Sequence, residues 1–145
     1  MNKFVAVLFA SCLVALVSAD EAEINKQRAA AGEACKKEQN VGDDVAAILT
    51  SKQIPSTEAQ QCFLECFYGK LGLVKDGKLN AQGAQAIAKA KFGDDKDKLA
   101  LADNIFKKCE EEVAKVASEK CGLGKAIRTC FVNNGDQIQI FPKSQ

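Results

Sequence analysis

The cysteines constrain this chain more than any other feature. Seven occur, at positions 12, 35, 62, 66, 109, 121 and 130, and the first belongs to a segment that reads as a separate unit. Lys3 supplies a short positive start, "FVAVLFASCLVALV" (4–17) is an uninterrupted apolar run, and "VSA" ends at Ala19 with the small residues a signal peptidase reads. The run is short for a membrane span and polar sequence follows at once, which leaves a transmembrane anchor as the competing reading. Residues 1–19 therefore read as a secretory signal peptide and residues 20–145 as a single domain. Cleavage takes Cys12 with it and leaves six cysteines. An even number in a secreted chain implies three disulfides. Six cysteines allow fifteen pairings, and counting alone does not choose among them.

"CFLEC" (62–66) is the tightest cysteine pair. It does not match the C-x-x-C of thioredoxin-like redox sites, and it falls inside a helical pattern rather than a βαβ unit. Positions i and i+4 share a helix face with their side chains pointing off it in parallel. Each of these two cysteines is therefore expected to bond a different neighbouring element. An all-cysteine zinc site is the other formal option, and a secreted chain favours oxidation over it.

Pro occurs only at 55 and 142, and the abundance of Ala, Lys, Glu, Gln and Leu favours helix. The periodicity predicts a helix over 23–38, weakened by Gly32, and a short one over 42–51 with Asp43 or Asp44 as its cap. Thr57 and Gln60 fit a T-x-x-Q capping box opening a third. Ala59, Cys62, Phe63, Cys66, Phe67 and Leu71 follow at the spacing of one buried face, ended by Gly69 and Gly72. "VKDGKLN" (74–80) reads as a turn around Asp76-Gly77, after which Asn80 can cap "AQGAQAIAKAKF". Asp94 or Asp95 can start the longest helix, 96–117, whose apolar stripe is Leu99, Ala102, Ile105, Phe106, Cys109, Val113 and Val116. A last helix spans roughly 119–132. In the tail Ile138 and Ile140 alternate with Gln137 and Gln139, an extended period, and Pro142 stops helix.

Several chemistries are excluded. The chain has no histidine, which removes Ser-His-Asp and Cys-His nucleophilic sites, imidazole zinc sites and the ordinary side-chain switch between pH 5 and 8. The carboxylate runs Asp43-Asp44, Asp94-Asp95 and Glu110-Glu111-Glu112 sit at helix starts or on a polar face, where they read as solvated charge. No phosphate-binding glycine motif occurs. With Lys3 gone, nineteen basic residues balance nineteen acidic ones, against the basic excess of a nucleic-acid binder. The chain reads as a non-enzyme needing no cofactor and no metal, with no nucleic-acid partner and no stable membrane insertion.

The cysteine framework C-x26-C-x3-C-x42-C-x11-C-x8-C resembles that of the six-cysteine insect odorant-binding proteins, the pheromone and general odorant-binding family. The x3 and x8 intervals carry the resemblance, which covers the whole mature chain with helices in matching places. Saposin-like proteins space their six cysteines differently, and plant lipid-transfer proteins carry an adjacent Cys-Cys pair absent here. The resemblance implies an all-α, compact six-helix fold around an apolar cavity, with interlocked bridges Cys35–Cys66, Cys62–Cys121 and Cys109–Cys130. Each would contribute about 2–4 kcal/mol, largely through the unfolded chain.

It further implies a secreted, extracellular carrier that reversibly binds small apolar molecules such as long-chain alcohols, aldehydes, esters or fatty acids. A chemosensory receptor and a weak homodimer are the other partners it allows. The candidate wall residues are Phe63, Phe67, Leu71, Leu73 and Val74 around the third helix, Ile87 and Phe92 on the fourth, and Leu99, Ile105, Phe106 and Val113 on the fifth. Ile127 and Phe131 come from the sixth. Ordinary core packing is the competing reading at each. The tail resembles those of relatives whose C-terminal segment folds back over the pocket, so Ile140 or Phe141 is expected in the wall, and the Tyr68 hydroxyl is the first polar candidate. Burying a ten-carbon chain gains about 8 kcal/mol before ordering costs, so affinity of roughly micromolar strength is expected. Some relatives release ligand in acid. Without histidine such a switch would fall to carboxylates, Asp136 first among them, and binding should change little between about pH 7.5 and 6. The competing class is a secreted structural or defence protein acting at membranes, disfavoured by the missing basic amphipathic face.

Overall fold

The structure is a computed structural model that describes residues 2–116 and 119–138, with residues 2–20 described by backbone alone. Helix α1 runs from Asn2–Gln39 without a break. The helix expected over 23–38 thus extends back through the apolar N-terminal run, where neither Gly nor Pro interrupts residues 2–31 and helix formers dominate. It ends in a Schellman motif: Asn40 takes φ 52, and the Val41 and Asn40 amides donate to the carbonyls of Lys36 and Lys37.

Helix α2, Asp43–Ala46, continues as a 3₁₀ turn, Ala47–Thr50. Neither Asp43 nor Asp44 caps it, contrary to expectation. Gly42 holds the cap position without a side-chain bond, because the Asp43 carboxylate reaches back to Lys36 Nζ at 2.6 Å instead. Helix α3, Glu58–Lys70, begins as the sequence indicates, with the Gln60 amide donating to Thr57 Oγ1. The reciprocal arm is shifted by one residue, since Gln60 Oε1 accepts from the Ser56 amide. Gly72, at φ 77, closes α3 in a second Schellman motif. There the Leu73 amide donates to the Tyr68 carbonyl.

The Asp76-Gly77 turn joins two short antiparallel strands, β1 (Val74–Lys75) and β2 (Lys78–Leu79). Both turn residues have positive φ, the type I′ geometry that Asp-Gly favours. Helix α4, Ala81–Phe92, has Asn80 at its cap position, but the Asn80 side-chain amide donates to the Gly72 carbonyl and so pins the hairpin entry. Asp95 caps α5 (Lys96–Val116) by accepting from the Lys98 amide. Ile105, Phe106, Cys109 and Val113 form its buried stripe, while Val116, expected to extend it, is 59% exposed.

Helix α6, Gly122–Asn134, starts later than expected, after Cys121 in the left-handed conformation. The alternation that reads as extended over 137–140 does not govern its first half: residues Gly135–Ile138 continue α6 as a 3₁₀ turn. Two isoleucines over four positions are too short a period to outweigh an adjoining helix, and Ile138 is buried without any strand.

Helix α6 packs on α3 and α5, α1 packs on α3 and α4, and α4 packs on α5. Contact of α3 with α6 requires glycine at 124, where a Cβ would lie 2.3 Å from the Gln61 carbonyl oxygen. Three bridges fasten this arrangement: Cys35–Cys66 joins α1 to α3, Cys62–Cys121 joins α3 to the start of α6, and Cys109–Cys130 joins α5 to α6. Cys62 and Cys66 therefore lead to different elements, and α3 is clamped from two sides.

Candidate functional site

Between these helices lies a half-enclosed cavity of about 150 Å³. Its aromatic wall is Phe67 and Tyr68 of α3, Phe92 of α4, Phe106 of α5 and Phe131 of α6. The space exists because Ala84, Ala88 and Ala102 stand on the facing surfaces of α4 and α5, where leucine-sized side chains would fill it. Ile24, Gln27 and Arg28 close one side from α1, Leu49 another from the 3₁₀ turn, and Leu71, Leu73 and Ile138 complete the lining.

A second hollow follows the seam between α4 and α5 and shares Ala84, Ala88, Ala102 and Phe106 with the first. It is roomier, about 330 Å³. Its walls, however, carry Gln85, Lys89 and Asp103 and only one aromatic ring. The smaller cavity, with five rings and a few convergent polar groups, better fits a ligand site.

Of the positions named from the sequence, Phe67, Tyr68, Leu71, Leu73, Ile87, Phe92, Phe106 and Phe131 line the cavity. Phe63, Ile105, Val113 and Ile127 are buried in the solid core instead, because an apolar helix stripe is wider than the arc that one cavity takes from it. Val74 packs partly buried against that core, and Leu99 borders the second hollow. Ile140 and Phe141 lie outside the described residues. Asp136 accepts from Lys52 Nζ at 2.5 Å in a solvent-exposed pair.

The polar lining is richer than the sequence suggests. Tyr68 is 6% exposed, its ring edge-on to Phe67 with centroids 5.9 Å apart. Burial pushes its hydroxyl above the ordinary 10.0, and the neighbouring Arg128 guanidinium opposes the shift. Arg128 itself is 3% exposed. Its Nε donates to the Gln53 carbonyl at 3.1 Å and its Nη2 to the carbonyls of Ile48, at 2.6 Å, and Ser51, so it ties the α2–α3 connection to α6. Lys91 Nζ lies 5.8 Å from the Phe92 ring centroid. Partial burial lowers its ammonium from the ordinary 10.5 and Arg28 adds to that, while Glu21 acts against both. Periodicity passes over Arg28, Lys91 and Arg128, since it scores apolar positions. The available signal was their rarity: the chain has eighteen lysines but two arginines, Arg28 and Arg128, and both line the cavity.

Among the described residues no group of three or more candidate metal ligands is present, and no helix is long and apolar enough to cross a membrane. The arrangement can enclose a small apolar body and meet it with one hydroxyl and a cationic rim.

Residues 17–134 match the model of the PBP/GOBP family. General odorant-binding protein 28a of Drosophila melanogaster is 31% identical over 119 residues, 81% of this chain and 82% of the relative. General odorant-binding protein 56a of the same organism is 26% identical over 140 residues, 90% and 92% of the two chains. The solved structure of odorant-binding protein dmelOBP28a from Drosophila melanogaster superposes with a TM-score of 0.68 at 27% identity, covering 81% of this chain and 96% of that one.

Proposed function

The chain belongs to the PBP/GOBP family, and from that premise we propose that it is a secreted, non-enzymatic carrier that reversibly takes small hydrophobic molecules into the cavity between α3, α4, α5 and α6. Residues 1–19 act as its signal peptide and are removed, leaving the domain 20–145. The observation that carries the reading is the hollow itself: five aromatic rings face three alanines across unfilled space. A domain built only for stability would fill that space, because each missing methyl group forfeits packing.

Size narrows the ligand. Apolar cavities of about 150 Å³ accept guests of roughly benzene size. A medium-chain alcohol, aldehyde, ester or fatty acid must therefore lodge one end here and extend toward the rim or the α4–α5 seam.

The test is displacement of an apolar fluorescent probe from the mature protein by a panel of such compounds, with native mass spectrometry of protein from its source to identify co-purified lipid. At least one panel member should bind with a Kd of roughly micromolar order. Failure of every member below about 100 µM, with no co-purified molecule, would sink the carrier reading.

A further inference from the structure

We infer that the two hollows are one divided binding site, in which an unbranched aliphatic chain starts among the aromatic rings and runs past Phe106 into the α4–α5 seam. Phe106, with Ala84, Ala88 and Ala102 beside it, is the neck that sets ligand length. This deepens the carrier reading and rests on it.

Shared walls carry the inference. Among the described residues, Ala84 and Ala88 of α4 and Ala102 and Phe106 of α5 border both spaces. The partition is thus a single layer of side chains, and three of its members end at Cβ. Of the four, only Phe106 puts a large side chain into the partition, and it is buried there. Beyond the neck the seam reaches Leu99 on α5, while Gln85, Lys89 and Asp103 edge it. Gln85 and Lys89 are exposed, and the Asp103 carboxylate lies 2.8 Å from Lys107 Nζ on its own helix. The seam therefore has an apolar floor with polar groups along its edge. That suits it poorly as the place where a ligand begins, yet it suffices for methylenes, which require only removal from water.

Volume then decides where a chain goes. The aromatic cavity, about 150 Å³, has the size that takes a benzene-like guest, so a longer chain leaves carbons over. The seam offers about 330 Å³ behind the neck, and each methylene fully buried there strengthens binding by about fourfold at most. The gap persists because α4 is held from elsewhere. Gly83 approaches the hairpin so closely that a Cβ on it would lie 1.8 Å from the Gly72 carbonyl oxygen. The Asn80 side-chain amide bonds that same carbonyl, and α1 packs against α4 as well. Closing the seam onto its alanines would break these contacts.

The experiment uses the mature full chain with 1-hexanol, which has the carbon count of benzene, and 1-dodecanol, each read by probe displacement. In the unaltered protein dodecanol should bind about thirtyfold or more tightly than hexanol, well below the gain of full burial without ordering cost. Ala88→Leu, which thickens the neck on a helix that tolerates leucine, should cut that ratio to within about threefold. Phe106→Leu, which thins the neck, should raise the ratio about threefold. A side chain that merely supports the fold would move both alcohols together and leave the ratio alone. Methyl NMR of the unaltered protein decides the case even if neither variant folds. Dodecanol should shift Leu99, which borders the seam, together with Leu71 and Leu73, which border the aromatic cavity. Hexanol should shift Leu71 and Leu73 alone. A Leu99 unmoved by dodecanol, or a ratio that neither folded variant changes, overturns the divided site and leaves the carrier reading intact. Failure of both alcohols to bind overturns it too, and failure of the wider panel with them removes the carrier reading as well.

Discussion

Tyr68 is the residue at which the interior can be read most directly. It is the only tyrosine, and the chain has no tryptophan, so its ionisation is reported by one phenolate absorbance band with no overlap. Burial favours the neutral phenol, with Arg128 working the other way. The folded value therefore lies above the 10.0 that applies once the chain unfolds. The sign follows: the stability due to this group is complete below the unfolded value and is lost as pH rises through the folded one. An alkaline titration should give a midpoint above 10.0 in the native protein, falling to about 10 in guanidinium, and rising further when an apolar ligand strips remaining water from the ring. A native midpoint at or below 10 would show that Tyr68 faces water. At this scale the sequence was legible where a rule acts locally, as for Thr57 capping α3. It was not legible at Asp43, whose partner Lys36 sits across a turn, nor at Arg128, whose carbonyl partners lie at least 75 positions away.

Among the elements, α4 differs from its neighbours. It has no buried residue, and it meets the cavity with Ala84, Ile87, Ala88, Lys91 and Phe92, of which only Phe92 is aromatic. By contrast α3 buries Phe63, Leu64, Phe67 and Tyr68 and is held by two bridges. Local opening is cheapest where few apolar contacts are lost, and α4, together with α5, forms the wall shared by both hollows. Hydrogen exchange should therefore find α4 amides the fastest among the helices α3 to α6 in the free protein. Ligand at one hundred times its Kd should slow them about a hundredfold if opening expels it, with little change in α3. Uniform protection across the four helices would place the opening elsewhere. The helices themselves were readable because their stripes are long and periodic. Their ends were less so: α6 begins at Gly122 rather than near 119. The strands around Asp76-Gly77 span two residues each, below the length at which alternation can be seen. The cavity was half legible. Its aromatic wall follows from apolar stripes, but the alanines that leave it empty look in sequence like ordinary helix formers.

At the scale of the whole molecule, a hollow core and three bridges oppose each other. The cavity forgoes packing contacts, and the bridges recover stability mostly by restricting the unfolded chain, more so for longer loops. The count and spacing of the cysteines were plain in the sequence, while the pairing came only from resemblance to a family, since the partners meet through tertiary packing. The sequence separations are 59 for Cys62–Cys121, 31 for Cys35–Cys66 and 21 for Cys109–Cys130. Replacing both cysteines of a pair by alanine should thus cost about 4 kcal/mol for the first and about 3 kcal/mol for the last, measured as the shift in urea unfolding. The same variants separate the bridges from the cavity. Each retains the lining residues, so saturating ligand at one hundred times its Kd should return about 2.7 kcal/mol to any of them that still folds. Recovery of that size in the Cys109→Ala/Cys130→Ala variant would mean that the ligand stabilises the same folded state the bridges hold. No recovery there, with binding intact in the unaltered protein, would mean that the α5–α6 bridge shapes the cavity as well as stabilising it, because Phe106 and Phe131 stand on the two helices it joins.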